Sequence, residues 1–294
     1  MHALVIGASG QVGAALAARL TERGHTVVGT HHRAPGPGTR ALDLLDAGAI
    51  GRLVDEIEPD WVLCPAGLTH VDDCEDHSEE AFAVNRDAPA GAARAAAKRG
   101  AGFVYFSTEY VFDGTAGPYA EDDPTAPLSV YGRSKLEGER RVEEENPRAA
   151  IIRTTVVYGP ELRGKNFVYQ VLGRARGGEP TRVPSDQVSS PTYNVDLAAA
   201  TVELIERDFR GVIHVAGPAI LSRYAFALEV CAVFGLDAGL LTAVETAALG
   251  QRARRPLLAG LAIDRARLVL RTPLRAPREA LADMRRVLEA ATSG

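Results

Sequence analysis

A tyrosine and a lysine four residues apart are the side chains in this sequence whose types and spacing most clearly permit chemistry. They are Tyr131 and Lys135, and the surrounding pattern predicts a helix over residues 129–145. Residues four apart share one face of a helix, so the two side chains are expected to be neighbours. An ammonium group beside a phenol lowers its pKa toward neutrality. The pair therefore predicts a general acid that protonates a substrate oxygen.

A hydroxyl that could orient this oxygen precedes the pair. The sequence predicts a buried strand over residues 103–106, and Ser107 and Thr108 follow it. Side chains at the carboxyl end of a central parallel strand face the crevice where such sheets bind ligands. Thr108 is expected to hydrogen-bond a substrate carbonyl and hold it for Tyr131. We therefore predict Thr108, Tyr131 and Lys135 as the catalytic residues.

A glycine-rich segment near the amino terminus has the features of a phosphate site. The strand residues Leu4-Val5-Ile6 lead into Gly7-Ala8-Ser9-Gly10-Gln11-Val12-Gly13, and an amphipathic helix follows directly. Such glycines permit a tight turn, a close approach of backbone amides to pyrophosphate, and close packing of helix on strand. The predicted dinucleotide site comprises Gly7, Ser9, Gly10, Gln11, Val12 and Gly13.

The residues after the second predicted strand bear on which dinucleotide is bound. Folds that prefer NAD usually carry an acid there, whereas this strand ends Gly29-Thr30-His31-His32-Arg33. Arg33 could pair with a 2′-phosphate, so we predict NADPH, with NADH as the alternative cofactor. Asp43 and Leu44 are expected at the adenine. Tyr131 and Lys135 are expected at the nicotinamide ribose.

Strands and helices alternate along the first half, which predicts an α/β fold with a doubly wound parallel sheet. Helices are expected over residues 11–23, 46–57 and 75–98, among others. After residue 159 the alternation weakens, and from residue 222 the pattern is mostly helical. We therefore predict a dinucleotide-binding domain of residues 1–159 plus 191–215. Residues 160–190 plus 216–294 form the predicted substrate-binding region.

Composition limits the class of protein. The chain has 294 residues, 46% of them hydrophobic, and a formal charge of −5, which gives it no electrostatic reason to bind nucleic acid. No apolar run approaches the roughly 18 residues of a membrane span, so we predict a cytoplasmic protein without membrane contact. The three cysteines match no metal or disulfide pattern, and the acids around residues 72–77 are read as helix caps. No metal site is predicted.

Taken in order, these motifs resemble the extended short-chain dehydrogenases/reductases. Longer segments are similar to dTDP-4-dehydrorhamnose reductases in particular: residues 107–114 (STEYVFDG), residues 125–132 (TAPLSVYG), Asp186-Gln187 with Pro191-Thr192, and Arg254-Arg255-Pro256. The resemblance implies NADPH-dependent reduction of the 4-keto group of a nucleotide-linked 4-keto-6-deoxyhexose in deoxysugar biosynthesis. A nucleotide-sugar substrate is implied, and a homodimer is compatible with it.

The resemblance also implies further site residues. Asn85 would support the site, and Ala66 and Gly67 would line the cofactor. The substrate would contact Thr69, Glu109, Tyr110, Val111, Asn166 and Arg255. Arg252 and Arg254 compete with Arg255 for the diphosphate.

Some segments depart from the family pattern and leave alternatives open. Glu109 stands where the family often has Asp, and residues 257–260 (LLAG) replace a polar segment, which is consistent with a more apolar pocket. One alternative is an NADP-binding regulatory subunit, because the beta subunit of methionine adenosyltransferase resembles the same family. The other is a sugar-nucleotide epimerase or dehydratase, although Glu109 is followed by Tyr110 and not by a second acid.

Overall fold

The structure is a computed structural model that describes residues 1–292. The strands are β1 (His2–Val5), β2 (Thr26–His31), β3 (Arg40–Ala41), β4 (Trp61–Cys64), β5 (Gly102–Thr108), β6 (Ala149–Thr154), β7 (Val157–Tyr158), β8 (Thr181–Pro184), β9 (Val188–Ser189), β10 (Thr192–Tyr193), β11 (Gly211–His214), β12 (Leu221–Ser222) and β13 (Leu241–Val244). The helices are α1 (Gln11–Glu22), α2 (Ala47–Ile57), α3 (Val71–Asp76), α4 (Ser78–Phe82), α5 (Ala88–Lys98), α6 (Val130–Glu145), α7 (Phe167–Arg176), α8 (Asn194–Glu206), α9 (Arg223–Phe234), α10 (Asp264–Val269) and α11 (Pro277–Thr292).

Seven strands form the central sheet in the order β11-β6-β5-β4-β1-β2-β3, and every pair in it is parallel. All residues of β4, β5 and β6 are buried, as their nearly continuous apolar sequences predict. Helices α1 and α8 pack together on one face, while α2, α5 and α6 cover the other. The predicted doubly wound α/β fold is confirmed.

The helix predicted over residues 75–98 is wrong in one respect, because the chain forms three helical pieces there. Between α4 and α5 it passes through a wider π turn at Ala83–Asp87. Pro89 has no N–H to donate back to the carbonyl of Asn85, so this oxygen is free of the usual helical bond. It accepts a hydrogen bond from the Tyr105 hydroxyl at 2.6 Å instead. The π turn thereby fixes Asn85 beside the centre of the sheet.

A separate core supports the second half of the chain. Helices α7, α9 and α11 surround apolar side chains that include Val168, Phe226 and Leu281, and β8 pairs with β13 at the edge. Tyr158 and Tyr193 also pack in this core, although both lie on the cofactor side of the predicted boundaries. The division into two regions stays a prediction, and residues 293–294 of the second region lie outside the described residues.

Candidate active site

The glycine loop sits between β1 and α1 with its backbone tightly folded. Gly7 has a φ of +89°, a conformation that glycine adopts without strain, and its N–H donates to Thr30 Oγ1 at 3.2 Å. A Cβ atom on Gly13 would lie 2.2 Å from the Gly7 carbonyl oxygen, so only glycine permits this approach of helix to loop. The result is a cradle of backbone groups in front of the helix.

This cradle fits a dinucleotide phosphate. Gly10 caps α1 without any side-chain hydrogen bond, so side-chain caps do not compete with an anion for the amides of the first turn. Within the described chain, Gln11 Nε2 is buried without a hydrogen-bond partner. Ser9, Gln11 and Val12 are all partly buried at this edge. A bound phosphate would satisfy the positive end of the helix dipole.

The residues predicted to contact the 2′-phosphate and the adenine of the cofactor lie in different settings. Arg33 is exposed, and its side chain makes no hydrogen bond or ion pair with residues 1–292. Asp43 is also exposed; its carboxylate accepts from the N–H of Leu45 at 3.0 Å and lies 4.0 Å from His32. Leu44 is buried. Arg33 is thus a cation without a partner among the described residues, while Asp43 has local structural contacts.

The loop after β4 connects the cradle to the buried lysine. A Cβ atom on Gly7 would lie 3.0 Å from that of Ala66, so the two loops are in contact. A Cβ atom on Gly67 would lie 3.0 Å from Asn85 Oδ1 and 3.9 Å from Lys135 Nζ. Asn85 accepts from the N–H of Leu68 at 2.9 Å and donates to the carbonyl of Leu68 at 3.0 Å. The amide of Asn85 therefore holds this loop against Lys135.

The amino-terminal turn of α6 carries the tyrosine and lysine. Ser129 caps the helix by accepting from the N–H of Gly132 at 3.2 Å, and Glu75 accepts from the N–H of Val130 at 2.8 Å. A Cβ atom on Gly132 would lie 2.2 Å from the Tyr110 carbonyl oxygen, so glycine lets α6 pack closely on the turn at 109–111. This packing brings Tyr131 against that turn.

Thr108, Glu109, Tyr110 and Tyr131 form one buried group. The Thr108 hydroxyl donates to Glu109 Oε2 at 2.9 Å and accepts from the N–H of Tyr110 at 3.2 Å. The rings of Tyr110 and Tyr131 meet edge to face with their centroids 5.3 Å apart. Tyr131 is 8% exposed and Glu109 is 5% exposed. The structure thus places the predicted acid against the turn that follows the predicted hydroxyl.

The electrostatics differ from the expectation that Lys135 lowers the pKa of Tyr131. Burial, with a contribution from the negative charge of Glu109, raises the pKa of Tyr131, so its phenol keeps its proton. Burial lowers the pKa of Lys135 to about 8, and its ammonium group lies 4.0 Å from the centroid of the Tyr105 ring. Burial also raises the pKa of Glu109. A protonated phenol is the form that a proton donor requires.

Two arginines approach this group from distant parts of the chain. Arg255 pairs with Asp72 at 3.0 Å, and its Nη1 lies 3.5 Å from the Tyr110 hydroxyl. Arg223, which the sequence reasoning missed, begins α9 and stacks over the Phe167 ring at 4.9 Å. Burial and the like charge of Arg255 lower the pKa of Arg223, while Tyr110 and Glu109 oppose that shift.

Arg223 makes no side-chain hydrogen bond or ion pair within residues 1–292, and no local motif surrounds it in the sequence. Because its position depends on how α9 packs, only the fold reveals it. Of the other two candidate arginines, Arg252 pairs with Asp76 at 2.5 Å, and Arg254 is exposed. The described structure therefore brings Arg223 and Arg255 to the tyrosine pair.

The remaining predicted substrate contacts fall in different settings. Thr69 is exposed on the loop before α3, and Val111 is completely buried in the main core. Asn166 caps α7: its side chain accepts from the N–H of Val168 at 3.2 Å and donates to the Gly159 carbonyl at 2.9 Å. Val111 and Asn166 therefore have clear structural roles, and Thr69 alone of the three is open to a ligand.

The acidic segment at residues 72–77 acts as a structural support. Asp72 holds both Arg255 and the N–H of Ala253, while Glu75 holds the start of α6. Among residues 1–292, no three histidine, cysteine or acidic side chains gather in a group able to bind a metal ion. None of the helices in the same range has the length and apolar character needed to cross a membrane.

Comparison with known proteins assigns the family. The model of the RmlD substrate binding domain matches residues 1–289. The chain belongs to this family. An RmlD-family relative named dTDP-4-dehydrorhamnose reductase, from Mycobacterium tuberculosis, is 36% identical over 285 residues, which cover 95% of this chain and 90% of the relative. The predicted relationship to the extended short-chain reductases is confirmed.

Solved structures of RmlD-like reductases superpose along nearly the whole chain. A dTDP-4-dehydrorhamnose reductase from Clostridium acetobutylicum gives a TM-score of 0.91 at 33% identity and covers 98% of this chain and 100% of its own. The Bacillus anthracis enzyme in complex with NADP gives 0.90 at 28% identity, covering 97% and 99%. Among the sequence relatives, a protein with a different name, methionine adenosyltransferase 2 subunit beta from Xenopus tropicalis, is 31% identical over 93% of this chain and 85% of its own.

Proposed function

We propose that this RmlD-family protein is an NADPH-dependent oxidoreductase that reduces the 4-keto group of a dTDP-linked 4-keto-6-deoxyhexose in deoxysugar biosynthesis. The observation that carries the proposal is the packing of the Tyr131 ring against the turn after Thr108, with Lys135 beside the loop at Gly67 that we assign to the cofactor. The names of the mycobacterial and clostridial relatives support the same reaction.

The cofactor site in this proposal is the cradle at residues 7–13 together with Ala66, Gly67 and Asn85. NADPH, when bound, supplies a hydride to a carbonyl carbon, and NADH is the alternative donor. The NADP complex of the Bacillus anthracis enzyme supports this choice. Arg33 is the residue that we assign to a 2′-phosphate, because it is exposed and lacks an acidic partner among the described residues.

The chain's own residues then handle the proton. Tyr131 donates its hydroxyl proton to the carbonyl oxygen, which gains negative charge as the carbon is reduced. Thr108 orients that oxygen when its one hydroxyl proton, which is donated to Glu109 Oε2 at 2.9 Å in this structure, turns to the carbonyl instead. Because burial keeps the phenol protonated, the site is prepared for reduction. Lys135 contributes its charge at the ribose side, where burial makes it titrate at about pH 8.

The substrate side of the proposal rests on charge. A nucleotide sugar carries a diphosphate, and a guanidinium group pairs with phosphate oxygens through two parallel hydrogen bonds. We assign Arg223 and Arg255 to that anion, because both approach Tyr110 at the edge of the catalytic group. Tyr110, Glu109 and Thr69 are assigned to the neighbouring sugar.

A regulatory NADP-binding subunit is the second candidate, because a methionine adenosyltransferase beta subunit is 31% identical to this chain. Its activity would depend on a partner protein and not on Tyr131. The two candidates therefore differ in whether the purified chain alone turns over a ketosugar nucleotide.

The deciding experiment incubates purified protein with NADPH and enzymatically prepared dTDP-4-keto-6-deoxyhexose. Loss of NADPH absorbance, with an NMR spectrum of a product that carries a hydroxyl at C4, supports the reductase. Recovery of the ketosugar with NADPH unconsumed, while NADPH still binds, would support the regulatory candidate. A product altered at another carbon would indicate an epimerase or dehydratase.

We propose the cytoplasm as the location, where NADPH is available and thiols remain reduced. Cys64, Cys74 and Cys231 are buried free thiols, which suits such a compartment. A homodimer remains the proposed assembly, and light scattering of the purified protein tests it.

A further inference from the structure

A turn from the second half of the chain reaches the glycine loop. Arg163 lies in the segment between β7 and α7, and its Nη2 is 3.4 Å from the hydroxyl oxygen of Ser9. These residues are 154 positions apart in the sequence. The contact thus joins the region assigned to substrate with the cradle assigned to the cofactor.

The turn that carries Arg163 is held by its own hydrogen bonds. The Glu161 carboxylate accepts from the N–H of Lys165 at 2.8 Å and from the N–H of Asn166 at 2.6 Å. Gly164 has a φ of +59°, which closes the turn. Asn166 then caps α7. These bonds hold the turn that carries Arg163, whose exposed side chain extends from it to Ser9.

The charge of Arg163 has no counterpart among residues 1–292. Its guanidinium makes no ion pair there, and its hydrogen-bond partner, Ser9, is neutral. It also lies beside the amino-terminal end of α1, where the helix dipole is positive and repels a cation. An anion between the guanidinium and the helix would turn this repulsion into attraction on both sides.

We propose that Arg163 binds the pyrophosphate of the dinucleotide cofactor, completing the cradle from the opposite side. This inference rests on the cofactor site of the proposed function. Ser9 belongs to the loop that would hold the pyrophosphate, whereas Arg33 is assigned to the 2′-phosphate at the far end. Arg163 therefore recognises a group that NADPH and NADH share.

Binding titrations without sugar nucleotide test this assignment, because the cofactor is then the sole source of diphosphate. Dissociation constants for NADPH and NADH are measured by fluorescence for wild type, Arg163→Gln, Lys165→Gln and Arg33→Ala. Loss of a charge-assisted bond predicts that Arg163→Gln weakens both cofactors by the same factor, about tenfold or more. Lys165→Gln removes an equal charge from the same turn and leaves both affinities within about twofold of wild type.

Arg33→Ala is expected to weaken the binding of NADPH alone, in contrast to Arg163→Gln, which weakens the binding of both cofactors. Equal affinities for wild type and Arg163→Gln would overturn the assignment, and so would a loss confined to NADPH, since that would place Arg163 at the 2′-phosphate. Equal losses in Arg163→Gln and Lys165→Gln would also overturn it by revealing only a general effect of charge. Failure of the wild type to bind either dinucleotide would instead reject the proposed function itself.

Discussion

The proposed cofactor cradle and the proposed substrate side are built in different ways. The cradle comes from one continuous segment, residues 7–13. Its contacts are made largely by backbone groups, which come close together because the glycines have no Cβ atom. The substrate side is assembled from side chains on the 109–111 turn, α6, α9 and the segment at Arg255. A local backbone motif recognises phosphate by geometry, whereas dispersed charges depend on the tertiary fold for their placement.

The shifted pKa values of the groups around Tyr131 share one physical cause. Burial is the main cause of the shift in the pKa of Tyr131, Lys135, Glu109 and Arg223. Groups perturbed in this way are typical of sites where protons are transferred. The two regions should therefore be separable by mutation: one set of variants affects cofactor binding, and the other affects chemistry or substrate binding.

The largest expected effect is the loss of chemistry in Tyr131→Phe. Removal of the hydroxyl deletes the proton donor, so kcat should fall by about a hundred- to ten-thousandfold while the NADPH dissociation constant changes little. Steady-state kinetics and fluorescence titration measure the two quantities. Tyr224→Phe, which removes a hydroxyl on α9, should retain activity. Turnover of Tyr131→Phe at the wild-type rate would end its assignment as the acid.

The Gly13→Ala variant tests the cofactor cradle. The added methyl group would meet the Gly7 carbonyl oxygen at 2.2 Å, so the loop must move, at a cost of about 1–3 kcal/mol. We expect a lower Tm together with weaker binding of both dinucleotides. Gly91→Ala is the matched control, because its Cβ meets no atom within 4 Å and alanine favours helix α5. If Gly13→Ala matched Gly91→Ala in thermal melts and titrations, the close approach would be unimportant.

Arg223→Gln should separate substrate binding from cofactor binding. Loss of one charge-assisted contact to diphosphate is expected to raise the KM for the sugar nucleotide about tenfold, with NADPH affinity unchanged. Arg174→Gln removes an exposed charge at the end of α7 and serves as the control. An unchanged KM in Arg223→Gln, or an equal effect in both variants, would remove Arg223 from the substrate site.

The smallest expected effect is a pH dependence of kcat/KM, which tests whether the reaction needs the positive charge of Lys135. Its pKa is lowered to about 8, so the ammonium is present below that pH and is lost above it. Since the pKa of Tyr131 is raised, its ionisation should not contribute in this range. The kcat/KM for reduction should therefore fall as the pH rises through about 8.

The Lys135→Arg variant tests whether Lys135 causes this fall in kcat/KM, because a guanidinium keeps its proton at alkaline pH. Whatever activity this variant retains should lose its alkaline decline near pH 8. An identical decline in wild type and Lys135→Arg would mean that another group titrates there. The pH dependence of NADPH binding, followed in parallel, shows whether the charge acts on the cofactor or on the proton donor.

How far the sequence predicts the molecule follows from the same contrast between local and dispersed features. The glycine loop, the buried parallel strands and the helix with Tyr131 and Lys135 are encoded by neighbouring residues and were predictable. The π turn at Asn85 could not be predicted locally, because the Asn85 carbonyl that Pro89 leaves free is satisfied by the distant Tyr105 hydroxyl, which donates a hydrogen bond to it. Arg223 and the support of Arg255 by Asp72 join segments far apart in the sequence, so no local pattern reveals them.

The central claim is that the two regions act together, with hydride delivered from the cofactor side to a C4 carbonyl protonated from the substrate side. The most direct test uses NADPH in which both C4 hydrogens of the nicotinamide are replaced by deuterium, together with dTDP-4-keto-6-deoxyhexose and NMR of the product. The account predicts that one deuterium appears at C4 of the sugar for each deuterated cofactor oxidised. Oxidation of the cofactor without deuterium at that carbon, or a product that never acquires a C4 hydroxyl, would contradict it.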